Sequence, residues 1–264
     1  MSCPADTARL NVKCEKFMSD LPAAPVLIFG GVGGIGEALA RRLRAAGRAV
    51  AITSRHADKA QALAAEIGAT PVVCNVLDEP AIAAAVAAAS SDGRLGGIVY
   101  AVGSIPLKPL ARITAEDMMA AFRLNVVGAM LAVRYGAEAL KVANGSVVLF
   151  SSVAAAQGFP MHAAIGTAKG AVEGLTLSLA ADLAPLVRVN AIAPSLTATP
   201  LAAGLTQNPK VAEGIAALHP IPRLGTADEM AALAQFLLSP EAGWITGQII
   251  GVDGGRSALR TGRA

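Results

Sequence analysis

Aromatic side chains are scarce in this sequence, at 3% of the residues, and cysteine occurs only three times. Cys3, Cys14 and Cys74 are too few and too scattered for a disulfide framework, and none pairs with a second ligand at zinc spacing. We therefore expect a reducing compartment, the cytoplasm, and no bound metal. The formal net charge is only +3, so a nucleic-acid partner is not expected either.

Long hydrophobic runs are also missing. Arg, Gly or Pro interrupts every apolar stretch before it reaches the ~18 residues that a membrane-spanning helix needs. We expect no contact with a membrane. The composition is otherwise apolar, with 54% hydrophobic residues and 27 glycines, which excludes a disordered chain. A length of 264 residues is enough to bury the core of one domain.

Short apolar segments alternate along the chain with longer, Ala-rich segments that are compatible with helices. Seven of them are predicted strands: 26–29, 48–53, 70–76, 97–102, 146–151, 187–193 and 248–252. Strands that are apolar on both faces and separated by helices predict a parallel sheet with helices on both faces. The predicted fold class is α/β, with a single Rossmann-like, doubly wound domain over residues 25–264. Residues 1–24 lack periodicity and are predicted to be a loosely ordered extension.

A glycine-rich turn lies between the first predicted strand and the first predicted helix. It reads GGVGGIG over residues 30–36. Glycines in this position let the chain turn sharply and let backbone N–H groups approach a pyrophosphate, which also meets the positive end of the helix dipole. The placement between a strand and a helix predicts a dinucleotide site.

The spacing of Gly30, Gly34 and Gly36 matches the Gly-x-x-x-Gly-x-Gly pattern of the short-chain dehydrogenases/reductases. Over residues 25–255 the chain resembles that family. The resemblance implies a nicotinamide dinucleotide, a small-molecule substrate and a homo-oligomer, either a tetramer or a dimer. Phe29 stands where the family usually has Thr, so a hydrogen bond that braces the glycine turn is expected to be missing.

The second predicted strand leads into Ser54 and Arg55, where NAD-selective members of the family carry an acidic residue. A carboxylate there would repel a 2′-phosphate, whereas the Arg55 guanidinium can bind a phosphate through two parallel hydrogen bonds. We therefore expect NADP(H) as the cofactor. The alternative is that Arg55 is an ordinary solvated surface residue.

The resemblance also implies contacts for three further cofactor residues. Asn75 stands where the family places an Asp beside the adenine, the Ile192 backbone would pair with the nicotinamide carboxamide, and Thr199 would hold that carboxamide or a phosphate oxygen. The complete expected cofactor site consists of Gly30, Gly34, Ile35, Gly36, Ser54, Arg55, Asn75, Val76, Gly103, Lys169, Ile192 and Thr199.

Three residues match the catalytic set of the family. Asn125 matches the asparagine that distorts its helix locally and holds a water for a proton relay, and Ser152 and Lys169 match the family serine and lysine. Tyr100, in the fourth predicted strand, would be a displaced catalytic group or a packing residue. We interpret it as a packing residue, because a side chain inside a buried strand more often packs.

The catalytic tyrosine of the family is missing. It lies four residues before the lysine and thirteen after the serine, and both counts lead to Ile165. Ile165 cannot donate a proton to the alkoxide that carbonyl reduction creates. His162 lies seven residues before Lys169, which resembles the Tyr-x6-Lys spacing of enoyl-thioester reductases. Since the unperturbed pKa of histidine is ~6.5, His162 is predicted to be a replacement acid or substrate contact, the alternative being a hydrogen-bonded loop residue.

Residues 201–218 fall where the family places its substrate lid, and their few charges favour an apolar or neutral substrate. The leading hypothesis is an NADP(H)-dependent oxidoreductase that reduces a ketone or an activated alkene, or oxidises the corresponding alcohol. Two alternatives stay open. One is a non-catalytic NADP(H)-binding sensor or structural protein, and the other is a non-redox, lyase-type enzyme in which His162 acts as the base.

Overall fold

Nine strands form the two sheets of this computed structural model, which describes residues 24–90 and 92–261. The strands are β1 (Val26–Phe29), β2 (Val50–Ser54), β3 (Thr70–Val73), β4 (Gly97–Tyr100), β5 (Ser146–Phe150), β6 (Arg188–Pro194), β7 (Thr197–Ala198), β8 (Gly225–Thr226) and β9 (Ile249–Val252). Seven of them form one parallel sheet in the order β3-β2-β1-β4-β5-β6-β9, and β7 pairs with β8. The predicted seven-stranded parallel sheet is confirmed. The predicted N-terminal extension lies outside the described residues except for Ala24.

Helices cover both faces of the large sheet, as predicted. They are α1 (Gly34–Ala45), α2 (Ala57–Ile67), α3 (Glu79–Ala89), α4 (Ala115–Phe122), α5 (Gly128–Ala143), α6 (Val153–Ala156), α7 (Ala163–Leu183), α8 (Ala203–Thr206), α9 (Pro209–Ala216) and α10 (Ala227–Leu237). One core contains Leu27 and Phe29 together with residues of α3, α5 and α7, and the other contains Val26 and Ile28 with residues of α1, α2 and α10. Side chains of β1 therefore alternate between two apolar layers.

The strand order reverses at β1. This strand pairs with β2 on one side and with β4 on the other, so successive crossovers leave the sheet in opposite directions. A crevice opens at such a switch point, outside the carboxyl ends of the strands. The glycine turn after β1 and the segments after β4, β5 and β6 all lie at this edge, which is where a ligand site is expected.

The helical stretch Ala115–Ala143 is long and apolar enough to span a membrane by length and by its mean hydropathy of 1.2. It is built from α4, a π-helical turn at Arg123–Val127, and α5. In the fold, α5 packs against α3 and against β4, and α4 packs against α7. We interpret the stretch as a core helix, since these contacts place it against the sheet.

Tyr100 on β4 stabilises this π-helical turn. Its hydroxyl donates a hydrogen bond of 2.7 Å to the Leu124 carbonyl, and its ring centroid lies 5.8 Å from that of Phe29. Only 2% of Tyr100 is exposed, and burial raises the pKa of its phenol well above the ordinary value. A Cβ atom at Gly128 would overlap the Tyr100 hydroxyl. Tyr100 is thus a packing residue that holds the turn carrying Asn125.

We expect Tyr100→Phe to lower the free energy of unfolding by about 1–2 kcal/mol, because it leaves the Leu124 carbonyl without its buried donor. Urea denaturation measures this change. Tyr135→Phe is the matched control, since the Tyr135 hydroxyl bonds to Glu79 at an exposed position, where we expect an effect within about 0.5 kcal/mol. Equal effects of the two substitutions would contradict the role given to Tyr100.

Candidate active site

The glycine turn closes tightly around its own backbone. Gly30 has a φ of +77°, a left-handed conformation that favours glycine. A Cβ atom at Gly36 would overlap the Gly30 carbonyl oxygen, and one at Gly34 would lie 2.9 Å from the Thr199 Cγ2 atom. Gly33 caps α1 without a side-chain hydrogen bond, so the first N–H groups of the helix remain available to an anion. Thr199 therefore lies against this turn, and its cofactor contact stays a prediction.

A neighbouring strand braces the turn. We expected this brace to be missing because Phe29 replaces the family threonine. In the structure the Gly30 N–H donates to the Thr53 hydroxyl at 3.3 Å, and the Gly31 N–H donates to the Thr53 carbonyl at 3.1 Å. Thr53 on β2 therefore holds the turn in place of a residue on β1.

Arg55 stands at the end of β2 and is exposed. Its Nε atom lies 3.2 Å from the His56 Nε2 atom, and the Ser54 hydroxyl accepts a hydrogen bond from the His56 backbone N–H at 3.0 Å. No carboxylate within the described part of the chain forms a salt bridge with Arg55. His56 is a second polar group at this position, and nothing in the sequence singles it out, because a histidine after a strand has no fixed spacing to the glycine turn.

The predicted adenine side lies at the end of β3. Asn75 is exposed, and its Oδ1 atom accepts a hydrogen bond of 3.1 Å from the Leu77 N–H. This bond leaves the amide N–H groups of Asn75 free to face a base. Val76 is buried beside it and belongs to the core on the α3 side.

Asn125 sits in the π-helical turn and is buried. The predicted local distortion of its helix is therefore confirmed. Its Nδ2 atom donates to the Ala121 carbonyl at 2.9 Å, while its Oδ1 atom has no hydrogen-bond partner among the described residues. A Cβ atom at Gly103 would lie 3.3 Å from that Oδ1 atom and 3.6 Å from the Lys169 Nζ atom. The fold thus brings Gly103, Asn125 and Lys169 together with a free acceptor among them.

Lys169 is buried and forms no salt bridge with a carboxylate of the described residues. Its Nζ atom donates to the Phe150 carbonyl at 2.8 Å. Desolvation lowers the pKa of Lys169 from its ordinary value to about 8, because burial disfavours the charged form. The remaining N–H groups of the ammonium can reach a hydroxyl, such as one on a ribose.

Ser152 caps the short helix α6, and its hydroxyl accepts a hydrogen bond of 3.1 Å from the Ala154 N–H. Ser152 also lines the cavity described below, and its hydroxyl donates to no group among the described residues. The preceding Ser151 is used structurally, since its hydroxyl donates to the Glu173 carboxylate at 2.7 Å.

Three residues spaced like successive turns of a helix line the same cavity: His162, which immediately precedes α7, and Ile165 and Lys169 within α7. Ile165 is 4% exposed and therefore presents only a small apolar surface there. At a rise of ~1.5 Å per residue, Ile165 lies ~6 Å from Lys169 along the helix axis and His162 lies ~10 Å away. His162 is therefore one turn nearer the outer end of the cavity than the position of the missing tyrosine.

The turn before α7 presents the His162 ring to the cavity. Met161 has a φ of +65°, a strained conformation for a residue with a side chain. The His162 Nδ1 atom lies 2.7 Å from the Pro160 carbonyl oxygen, which can only accept, so Nδ1 carries a proton. The Nε2 atom is left as the reactive nitrogen, and it donates a proton only when the ring is doubly protonated. His162 is both a hydrogen-bonded turn residue and a cavity residue.

The cavity has a volume of about 310 Å³ and lies at the carboxyl edge of the sheet. Its wall includes lid residues Leu201, Leu205 and Ile215 and the segment 194–197 after β6. Ile192 lies elsewhere, fully buried within β6, and its carbonyl accepts the Ser151 N–H at 2.8 Å. The structure therefore does not place Ile192 in the cavity wall, because the strand continues for two residues beyond it.

The cavity wall also contains three side chains able to make polar or stacking contacts that are not among the predicted site residues: Phe159, Ser195 and Arg256. Arg256 follows directly after two glycines at the end of β9, and a charged residue leaving the carboxyl end of a strand is the one signal that would have indicated it. Ser195 follows Pro194 in the segment that resembles the family's Pro-Gly motif, whereas Phe159 belongs to no motif, and only the fold brings the two side chains to one cavity.

Comparison with known proteins gives consistent matches over nearly the whole described chain. The family model described as Enoyl-(Acyl carrier protein) reductase matches residues 31–257. The chain is 34% identical to a 2,5-dichloro-2,5-cyclohexadiene-1,4-diol dehydrogenase of Sphingobium indicum, a match that covers 92% of this chain and 100% of the relative. It is 36% identical to the inactive 2-(S)-hydroxypropyl-CoM dehydrogenase 2 of Xanthobacter autotrophicus, over 84% of this chain and 100% of the relative.

A solved structure of similar fold contains a nicotinamide dinucleotide. It is a gluconate 5-dehydrogenase from Burkholderia cenocepacia in complex with NADP and tartrate. The TM-score is 0.85 at 29% identity, and the match covers 91% of this chain and 97% of that chain. The similarity therefore extends to a protein whose cofactor has been seen in place.

We expect the unfolding free energy of the cofactor-free protein to rise by about 2 kcal/mol between about pH 7.5 and 9.5 on account of Lys169. Its pKa is about 8 in the folded state and ~10.5 in the unfolded state. The unfolded state binds more protons between these two values, so raising the pH stabilises the fold. Urea denaturation over this pH range, with Lys169→Met beside the wild type, measures the contribution.

Lys169→Met should lose this rise, and the exposed-lysine variant Lys59→Met should keep it. If Lys169→Met shows the same dependence on pH as the wild type, the lysine is not held as a desolvated cation.

Proposed function

The chain belongs to the short-chain dehydrogenase/reductase family, and we propose that it is an NADP(H)-dependent oxidoreductase of that family. It reduces a ketone or an activated alkene, or oxidises the corresponding alcohol. The observation that carries this proposal is one cavity at the switch-point edge of the sheet, lined by Lys169 and Thr199 on the cofactor side and by apolar lid residues on the other. The bound nicotinamide supplies or accepts the hydride.

Binding of the dinucleotide follows from the polar groups around the glycine turn. The free N–H groups at the start of α1 would bind the pyrophosphate, and Thr199 lies beside the same turn. Lys169 would hold the nicotinamide ribose through the ammonium N–H groups that do not bond to the Phe150 carbonyl. Asn125 supplies a buried acceptor next to that ammonium, which can hold a water in a path for protons.

Preference for NADP(H) is supported by the charge at the end of β2. The Ser54 side chain carries no charge, and Arg55 is exposed without a salt-bridge partner among the described residues. A guanidinium with adjacent His56 can bind a 2′-phosphate, which a carboxylate in this place would repel. The NADP in the structure of the gluconate 5-dehydrogenase agrees with this choice.

Proton transfer is the step in which this protein must differ from the family pattern, because Ile165 occupies the position of the catalytic tyrosine. With Ile165 unable to donate, we assign the proton to the His162 Nε2 atom in the doubly protonated ring, whose Nδ1 proton is held by the Pro160 carbonyl. The Ser152 hydroxyl also lines the cavity and can donate to the developing alkoxide. Together these groups stabilise the negative oxygen that forms as hydride arrives.

A second candidate function is a non-catalytic NADP(H)-binding protein. Ile165 favours it, because an apolar residue occupies the acid position, and one relative of 36% identity is described as inactive. Such a protein would keep the nucleotide site and lack turnover. The two candidates share the cofactor site and differ only in the cavity chemistry.

The remaining features of the proposal come from the family resemblance and from the lid. The part of the substrate that contacts Leu201, Leu205 and Ile215 is apolar, because a polar group there would lose its hydration without compensation. We also propose a cytoplasmic homo-oligomer, a tetramer or a dimer.

Cofactor selectivity is tested by Arg55→Glu. We expect the Kd for NADPH, measured by fluorescence titration, to rise by about 10-fold to 100-fold, since a charge-assisted pair is replaced by repulsion. The Kd for NADH should change by less than about threefold. Arg94→Glu, at the opposite end of the sheet, is the control and should leave both values unchanged. Equal losses for NADPH and NADH would overturn the assigned 2′-phosphate contact.

The proton donor is tested by His162→Gln in the NADPH-saturated protein, with a panel of ketones and enones and with NADPH oxidation followed by absorbance. We expect a loss of about 100-fold in kcat, as is typical for removal of a general acid, with the Kd for NADPH unchanged. In the double variant His162→Gln/Ile165→Tyr, a tyrosine one turn from Lys169 should restore part of the activity. Tight NADPH binding with no turnover of any panel member by the wild type would favour the non-catalytic candidate.

A further inference from the structure

Arg256 lines the same cavity as His162 and Lys169. Its guanidinium carbon lies 4.9 Å from the centroid of the Phe159 ring, and that ring lies 5.4 Å from the His162 ring. The Arg256 carbonyl accepts a hydrogen bond of 3.1 Å from the Gln157 amide, which joins the segment after β9 to the loop before His162. Stacking on Phe159 further orients the guanidinium plane. The candidate acid and this cation therefore belong to one connected wall.

The charge of Arg256 is not neutralised within the described residues. None of the salt bridges there includes its guanidinium. The nearby Asp253 carboxylate is occupied, since it accepts hydrogen bonds from the backbone N–H groups of Gly255 and Ser257 and from the Ser257 hydroxyl. Burial lowers the pKa of Arg256 although Asp253 acts in the opposite direction. A partly desolvated cation of this kind is costly unless something else pairs with it.

Ser195 and His219 do not satisfy the guanidinium. The Ser195 hydroxyl lies 2.8 Å from the His219 Nε2 atom, and the His219 Nδ1 atom lies 2.9 Å from the Ile215 carbonyl. In this hydrogen-bond network, the His219 Nδ1 atom donates to the Ile215 carbonyl, and the Ser195 hydroxyl donates to the His219 Nε2 atom. The Ser195 oxygen then offers one weak contact to the Arg256 Nη1 atom, at 3.5 Å. Most of the Arg256 N–H donors remain for a ligand.

The chemistry of the missing partner follows from these observations. A planar guanidinium matches a carboxylate, which accepts two parallel hydrogen bonds from it. Two further basic residues line the cavity with Arg256, namely His162 and Lys169. The proposed function assigns Lys169 to the cofactor ribose and His162 to proton transfer. A single arginine therefore faces the substrate, which suits one carboxylate group better than a phosphate.

We propose that the substrate carries a carboxylate and that Arg256, stacked on Phe159, is its binding site. This inference rests on the proposed function, because it places the carboxylate in the cavity that would hold the reacting carbonyl group. It also narrows the expectation of an apolar or neutral substrate. The apolar character applies to the part that contacts the lid, and the negative charge to the part that contacts Arg256.

The test is isothermal titration of the NADPH-saturated full chain with benzoylformate and levulinate, each beside its methyl ester. These pairs differ in the charge of one group and place the carbonyl at two distances from it. We expect at least one acid to bind about tenfold more tightly than its ester, the increment of a charge-assisted hydrogen-bonded pair. Arg256→Gln should abolish this preference and leave ester binding within about threefold of the wild type.

Ester binding by Arg256→Gln serves as the control that the cavity is still formed. Arg256→Lys keeps a positive charge without the planar guanidinium and should retain part of the preference for the acid. Arg260→Gln removes an exposed arginine of the same segment and should retain all of it. The inference is overturned if acids and esters bind alike, if neither binds, or if Arg256→Gln keeps the preference. The proposed function is judged separately, by the Kd for NADPH and by NADPH oxidation with neutral ketones.

Discussion

The pairing of β1 with both β2 and β4 is the constraint on which the rest of the structure depends. Because this strand is apolar on both faces, helices must cover it from both sides, and the crossovers diverge at its carboxyl end. The glycine turn fills the opening on the cofactor side. The ends of β4, β5 and β6 supply the other walls, so residues from distant parts of the chain share one crevice.

Within that crevice, the buried polar groups are organised around Lys169. Desolvation lowers the pKa of Lys169 to about 8. The residue one turn earlier is Ile165, which has no ionisable group that the charge of Lys169 could stabilise. In the family pattern, that charge stabilises an ionised phenol next to the substrate. Here Ile165 interrupts that sequence of interactions, so the proposed function leaves Lys169 to the cofactor ribose and assigns the proton to His162.

The outer end has its own polar system. The strained Met161 backbone directly precedes His162, the Phe159 ring lies next to both the His162 ring and the Arg256 guanidinium, and the Ser195 hydroxyl contacts the same guanidinium. If both proposals hold, an acid and a cation on one wall would bind a substrate at two points. Orientation by Arg256 would then compensate in part for an acid that stands farther from Lys169 than a tyrosine at position 165 would, because positioning contributes to the rate.

The alternation of strands and helices, the glycine turn, the spacing to Ile165 and the distortion at Asn125 were all readable from the sequence. Each depends on short-range geometry: the periods of helix and strand, the freedom of glycine, and a fixed number of residues along one helix. Three features were decided by the tertiary structure. They are the hydrogen bond with which Thr53 braces the glycine turn, the interior position of Ile192, and the cavity wall formed by Phe159 and Arg256. These features depend on which distant segments pack together, and hydrophobic periodicity specifies that a face is buried without specifying which side chain it meets.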